Sequence, residues 1–236
     1  MHEEFEEKGA YFKKYIELLA MRSTFANLSL EFESDDLSSP EKAVEVLNCK
    51  DAVEYIFEYQ SPESKVYPTT IEKINTIINR GKDLAPGYRK VAVLTGLGFE
   101  APPAREIASR IMSLLDNYYN IWDMLDIYER EARFNIEFIR IQPFEDGNKR
   151  TANVIVNYHL FKDQKASIII DSKHKEEYLS YIENYEVNKM AKLFKELSES
   201  ESKIMEDIYN AMGPIEKFEL KHDGNDIDEL TNHFNI

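Results

Sequence analysis

The sequence is short of the residues that would mark a disulfide scaffold, a zinc module or a turn-rich sheet protein. Of 236 residues only one is cysteine, Cys49, so no internal disulfide can form and no Cys/His cluster suggests zinc. Eight glycines and eight prolines are few for this length and favour helices over a turn-rich β fold. Basic residues are outnumbered, 29 Lys and Arg against 44 Asp and Glu, for a net charge of −15. That balance argues against general nucleic-acid binding, which needs a basic face, and against docking on an anionic membrane. No apolar run is long enough to span a bilayer, and Met1-His2-Glu3-Glu4 is acidic with no signal-like apolar core. A cytoplasmic location is the default expectation. Tryptophan occurs once, whereas 14 Tyr and 13 Phe join a hydrophobic fraction of 43%, enough for a substantial core beneath a self-repelling acidic surface.

Periodicity predicts a mostly helical chain. Phe5, Phe12, Tyr15, Ile16, Leu19 and Ala20 recur at near-helical spacing over residues 4–22. Ser39-Pro40-Glu41 is a helix-start signal, followed by Ala43, Val44, Leu47, Val53, Ile56 and Phe57. Thr69 or Thr70 is expected to cap a further helix with Ile71, Ile74, Ile77 and Ile78 buried, and Gly81 sits where a C-cap is expected. Residues 85–103 differ. Val91-Ala92-Val93-Leu94-Thr95 has strand character before Gly96-Leu97-Gly98-Phe99 and Ala101-Pro102-Pro103, which reads as a β-hairpin or flap lying on the helices. Helical pattern returns at Ile107, over about 127–141, after the turn at 143–148, over 174–195 and over 198–212. Ile168-Ile169-Ile170 is expected as a buried link, and weak order is expected beyond about residue 220. The fold class is all-α, a helical bundle with one β-hairpin flap. It divides into an N-terminal segment 1–44, a core 45–185 and a C-terminal segment 186–236.

The organising stretch is Ile141-Gln142-Pro143-Phe144-Glu145-Asp146-Gly147-Asn148-Lys149-Arg150-Thr151-Ala152. Pro143 stops the incoming helix and disfavours helical geometry at Gln142. Gly147 accepts backbone angles that other residues resist, and Asn148 is a candidate N-cap for the next helix. Exposed N–H groups at such a helix start form an anion site. Lys149 and Arg150 add positive charge, and Asp146 is an oxygen ligand of the kind Mg²⁺ accepts.

This stretch resembles the signature of the Fic/Doc family: a His, then x-Phe-x-(Asp/Glu)-(Gly/Ala)-Asn-(Gly/Lys)-Arg. Phe144, Asp146, Gly147, Asn148, Lys149 and Arg150 match in register, Phe144 as a structural residue. Upstream, Gly87-Tyr88-Arg89, the run Val91 to Leu94 and Pro102-Pro103 follow in the family's order. The resemblance implies a Fic-type helical bundle that moves AMP from Mg²⁺-complexed ATP to a Ser, Thr or Tyr hydroxyl of a target protein. It implies Asp146 on the metal, Gly147, Asn148 and Lys149 as the phosphate cradle, and Arg150 on the phosphates. Arg89, Val91, Ala92, Val93 and Leu94 would dock the target protein as an added strand. A homodimer is compatible with the resemblance.

The departures are specific. Gln142 stands where the family has its catalytic His, and an amide offers hydrogen bonds but no proton-accepting pKa near neutrality. Nucleotide binding is expected to persist while transfer is weak or lost. Asn153, counted with the nucleotide-binding positions, replaces a second Arg that many members carry. The stretch Ser23 to Leu28 matches an inhibitory pattern in which Asn27 replaces the Glu that pairs with that Arg, so both charges of one ion pair are absent together. Lys149, usually Gly in adenylylating members, resembles the Doc branch and opens phosphate transfer as the alternative; a catalytically inactive binding module is the third reading. His159 is expected in the core, and Asn135 as a helix brace.

Overall fold

The computed structural model describes residues 40–59 and 64–211, with the isolated helical positions 16, 18–20, 22 and 23. Asn27 and the tail past 211 lie outside the described residues, so the inhibitory stretch and the terminal expectations are not addressed by it. The helices are α1 (Pro40–Tyr59), α2 (Pro68–Ile78), α3 (Ile107–Asp116), α4 (Ile127–Ile141), α5 (Asn148–Lys162), α6 (Lys175–Asn184) and α7 (Val187–Ala211). Short 3₁₀ turns precede α3 and α6, and a π turn, Asn117–Ile121, follows α3.

Helix α5 is the axis of the bundle. It packs against α1, α2 and α4, while α4 also contacts α3, α6 and α7. The sequence pattern put Ala152, Ile155, Val156, His159 and Leu160 on one side of this helix, but every residue from Arg150 to Phe161 is buried. Its polar members are therefore all internal and need internal partners. Asn157 exchanges two hydrogen bonds with the Ile168 backbone, at 3.1 and 2.7 Å, which fixes the buried Ile168–Ile170 link against α5. Asn153 accepts from Asn135 Nδ2 at 3.0 Å and from the Tyr178 hydroxyl at 3.2 Å, tying α4, α5 and α6 together.

Several boundaries follow the sequence and others depart from it. Helix α4 spans 127–141, with the Asp126 carboxylate accepting from Tyr128 N. Helix α2 starts at Pro68 with Tyr67 as its cap residue, so neither Thr69 nor Thr70 caps it; Ile71, Ile74, Ile77 and Ile78 are buried as expected. Its C-cap is Asn79 rather than Gly81. The C-terminal helices divide at Tyr185, in the left-handed region at φ 57°, and α7 runs unbroken through the Ser-Glu-Ser stretch. Buried Ser198 explains the continuity, since its hydroxyl donates to Ala166 O at 2.7 Å and accepts from Tyr128 at 3.2 Å.

The expected β-hairpin is absent: the described residues contain no strand. Residues 91–103 form an extended, bent loop closed by side chains instead of a ladder. The Thr95 hydroxyl contacts Leu97 O and Phe99 O at 2.8 and 2.9 Å. The Arg89 guanidinium joins the two limbs, donating to Val91 O at 2.7 Å and Pro102 O at 2.6 Å. With these carbonyls taken by side chains, and Pro102 and Pro103 lacking N–H donors, no strand pairing forms between the limbs.

Candidate functional site

Helix α4 ends where Gln142 turns into the left-handed region, φ 47° and ψ 61°. Pro143 forbids helical continuation, and the loop re-enters helix at Asn148. Gly147 is the N-cap residue at φ 77°, a value that favours glycine. A Cβ there would lie 3.1 Å from the amide nitrogens of Asn75 and Asn79 and 3.2 Å from Ile78, so close packing on α2 also demands its absence. These same two amides hold the loop, donating to Asp146 O at 2.9 and 3.0 Å.

Asn148 was expected to cap α5 and instead braces the loop from inside. Its Nδ2 donates to Gln142 Oε1 at 2.8 Å and Phe144 O at 2.9 Å, and its Oδ1 accepts from Phe144 N at 3.0 Å. Phe144 is buried against Tyr88, ring centroids 5.6 Å apart. The Gln142 side chain is thus turned toward the start of α5 as a hydrogen-bond acceptor. The first bond within α5 is Thr151 N to Gly147 O at 2.9 Å, which leaves the N–H groups of Asn148, Lys149 and Arg150 ahead of the intrahelical ladder. Half-buried Lys149 is paired with no carboxylate among the described residues. The loop therefore ends in a helix start with one cation at its edge.

Asp146 stands in a different setting from the one its sequence position implied. Its Oδ2 accepts from Lys82 Nζ at 2.6 Å, its Oδ1 from Gly147 N at 2.5 Å, and Arg150 lies 3.2 and 3.3 Å from the two oxygens. Lys82 also meets Glu45 Oε1 at 2.7 Å, and Arg150 lies 3.8 Å from Glu45 Oε2. Burial works to raise the Asp146 pKa, but Arg150 and Lys82 outweigh it and hold the carboxyl below its usual range. Burial likewise works to lower the Lys82 pKa, and its bonds to Asp146 and Glu45 raise it above the ordinary value. Both Asp146 oxygens are engaged by protein donors. No group of three His, Cys, Asp or Glu able to hold a metal occurs among the described residues. As arranged, these residues do not fit a resident Mg²⁺.

Arg150 is 1% exposed, so the residue expected on the phosphates faces Asp146 and Glu45. Asn153, expected near the nucleotide, is 5% exposed and belongs to the α4–α5–α6 brace; Asn135 braces helices as expected. Arg89 is 3% exposed and anchors the flap to the motif: besides its bonds to the flap, its Nε donates to Gln142 O at 2.6 Å and its backbone N to Pro143 O at 2.9 Å. It is an internal clamp rather than a docking residue. Val91, Ala92 and Leu94 are exposed, Leu94 fully, and Val93 is half-buried. Lys82 and Glu45 were not foreseen. Their spacing from the motif carries no local pattern, and only the packing of α1 and the turn after α2 reveals them.

The two described histidines are committed away from the loop. His159 Nδ1 lies 3.0 Å from Glu131 Oε2 beneath a stacked Tyr118 ring, and His174 Nδ1 lies 2.7 Å from Asp171.

The described residues thus form a helical bundle with a glycine-hinged loop between two central helices, α4 and α5. Residues 65–160 match the family model described as Fic/DOC family. The likeness to the Fic/DOC family lies in this stretch. The chain is 26% identical over 190 residues to "Protein adenylyltransferase Fic" of Nematostella vectensis, covering 74% of this chain and 43% of that protein. It is 22% identical over 186 residues to a probable protein adenylyltransferase of Aquifex aeolicus, covering 74% of this chain and 57% of that one. The chain thus spans about half the length of these relatives. Its fold matches that of a Fic-domain-containing signaling protein from Bacteroides thetaiotaomicron at a TM-score of 0.65 and 22% identity, covering 78% of this chain and 88% of that chain. No described helix is long and apolar enough to cross a membrane.

Proposed function

We propose that this chain is a Fic-type nucleotide-binding protein related to protein adenylyltransferases, in which AMP transfer from ATP to a target hydroxyl is slow or lost. The observation that carries the proposal is the Gln142 side chain. It stands at the end of α4 where a proton acceptor is needed, and its Oε1 accepts 2.8 Å from Asn148 Nδ2. An amide in that role orients the loop and takes no proton from a hydroxyl. Neither described histidine substitutes for it, each being bonded to a carboxylate elsewhere.

In this reading the N–H groups at the start of α5 and the Lys149 ammonium receive phosphate oxygens. Gly147 gives the backbone its turn, and Arg150 and Lys82 keep Asp146 from repelling the ligand. The extended run Val91 to Leu94, with Val91, Ala92 and Leu94 exposed, suits a target segment laid alongside it. A second reading, phosphate rather than AMP transfer, is favoured by Lys149, whose ammonium sits beside the cradle without a carboxylate partner among the described residues.

The test is incubation with ATP labelled at the α or the γ phosphate, using the wild-type chain and Gln142→His. Restoring a base is expected to raise transfer of α label by about 10²–10⁴-fold. Transfer of γ label instead identifies the second reading. Failure of both proteins to transfer either label, with nucleotide still bound, leaves a binding module.

A further inference from the structure

We propose that Lys82 is the built-in cation of the motif loop: its ammonium bridges Asp146 and Glu45 in place of a divalent metal ion, so that a phosphate-bearing ligand is held here without added metal. The ligand half of this inference rests on the nucleotide-binding reading above; the metal half does not.

Three observations carry it. First, the ammonium contacts two carboxylates from separate parts of the fold, Asp146 Oδ2 at 2.6 Å and Glu45 Oε1 at 2.7 Å. A small divalent ion would seek this bridging position between carboxylate oxygens. Second, Lys82 is delivered by a pinned turn, not by a free surface arm. Lys82 N donates to Asn79 O at 3.0 Å, and Leu84 N donates to Lys82 O at 3.0 Å. Asn48 on α1 donates to Arg80 O at 2.8 Å, and Arg80 pairs with Asp51 at 2.7 Å. Gly81 at φ 89° permits the bend. Third, the cluster is balanced. Asp146 and Glu45 face Lys82 and Arg150, with Arg150 essentially buried and Glu45 mostly so. A divalent ion entering this half-buried group would meet two fixed positive charges and would have to displace Lys82 from both carboxylates. Removal of Lys82 reverses the balance, leaving two carboxylates toward one vacated position, with Arg150 the single cation.

The experiment uses the full chain, Mn²⁺ followed by electron paramagnetic resonance as the metal probe, and a fluorescent ATP analogue titrated in EDTA and in MgCl₂. The wild-type chain is expected to leave Mn²⁺ free and to bind the analogue within about twofold in the two buffers, while Lys82→Met captures Mn²⁺ at least about tenfold more tightly than wild type. Lys82→Met is also expected to lose analogue affinity in EDTA and recover it with Mg²⁺. Equal Mn²⁺ affinity in the two proteins, tight or weak, overturns the proposal. A wild-type requirement for Mg²⁺ in analogue binding overturns it as well, and that measurement decides the matter if circular dichroism shows that the variant has not folded. Absence of analogue binding under every condition refutes the nucleotide reading and leaves the Mn²⁺ comparison to judge Lys82.

Discussion

Helix α5 carries a charge cluster near each end, and the two are held in opposite ways. At its start Asp146 is half-exposed, gripped by Lys82 and Arg150, with Glu45 closing the group. Toward its other end Glu131 is fully buried. It accepts from the Tyr118 hydroxyl at 2.5 Å, pairs with His159 at 3.0 Å, and lies 3.6 Å from Arg130. Burial first, then the Glu131 charge, pushes the Tyr118 hydroxyl pKa well up, so this phenol stays a donor at any ordinary pH. Tyr118 belongs to the π turn, the form of irregular helix that often marks a special site; here the irregularity aims a hydroxyl at an internal carboxylate. The lesson is that charge alone does not identify a binding site in this fold. The Glu131 group is enclosed among buried partners, whereas the half-exposed Asp146 group adjoins the start of α5.

Breaking the sealed cluster is expected to give the largest effect. Glu131→Ala strips acceptors from Tyr118, His159 and Arg130 and should destabilise the chain by about 3–5 kcal/mol in urea titrations. Asp146→Ala removes a half-exposed partner, leaves Lys82 paired with Glu45 and leaves Arg150 facing Glu45 alone, so its cost should be smaller than that of Glu131→Ala. Equal costs would erase the contrast. Arg89→Met comes next. It removes guanidinium donors to Val91, Pro102 and Gln142 carbonyls and should cost about 2–3 kcal/mol, with hydrogen exchange quickening across residues 90–102. Unchanged exchange there would show that the flap has another anchor. The smallest effect is acid sensitivity. The folded Asp146 carboxyl titrates below its unfolded value, so its contribution to stability is present above about pH 4 and fades as pH falls through the folded value. Asp146→Asn should flatten that limb of the stability–pH curve; a curve of unchanged shape would contradict the pairing with Lys82 and Arg150.

Local chemistry made part of this molecule legible in advance. Pro143 closes α4 because a forced stop acts on its own neighbours. The motif loop was legible because its glycine, its proline and its phenylalanine each answer a local need. The flap was misread, since Val91 to Thr95 has the composition of a strand, and only Arg89 reaching across the loop shows why no ladder forms. Asn148 and Asn153 were assigned outward roles but satisfy buried partners, a demand set by how completely α5 is enclosed. Lys82 and Glu45 were invisible for the same reason that Glu131 was: each acts on a residue distant in sequence, and no periodicity records such a meeting.

Isotope-labelled chain titrated with ATP and followed by amide NMR tests the central claim most directly. The account predicts saturable shifts in the backbone N–H signals of Gly147, Asn148, Lys149 and Arg150, with the Glu131 and His159 signals unmoved. Stationary amides across the loop at ATP concentrations that saturate other sites, or no response anywhere, would contradict it.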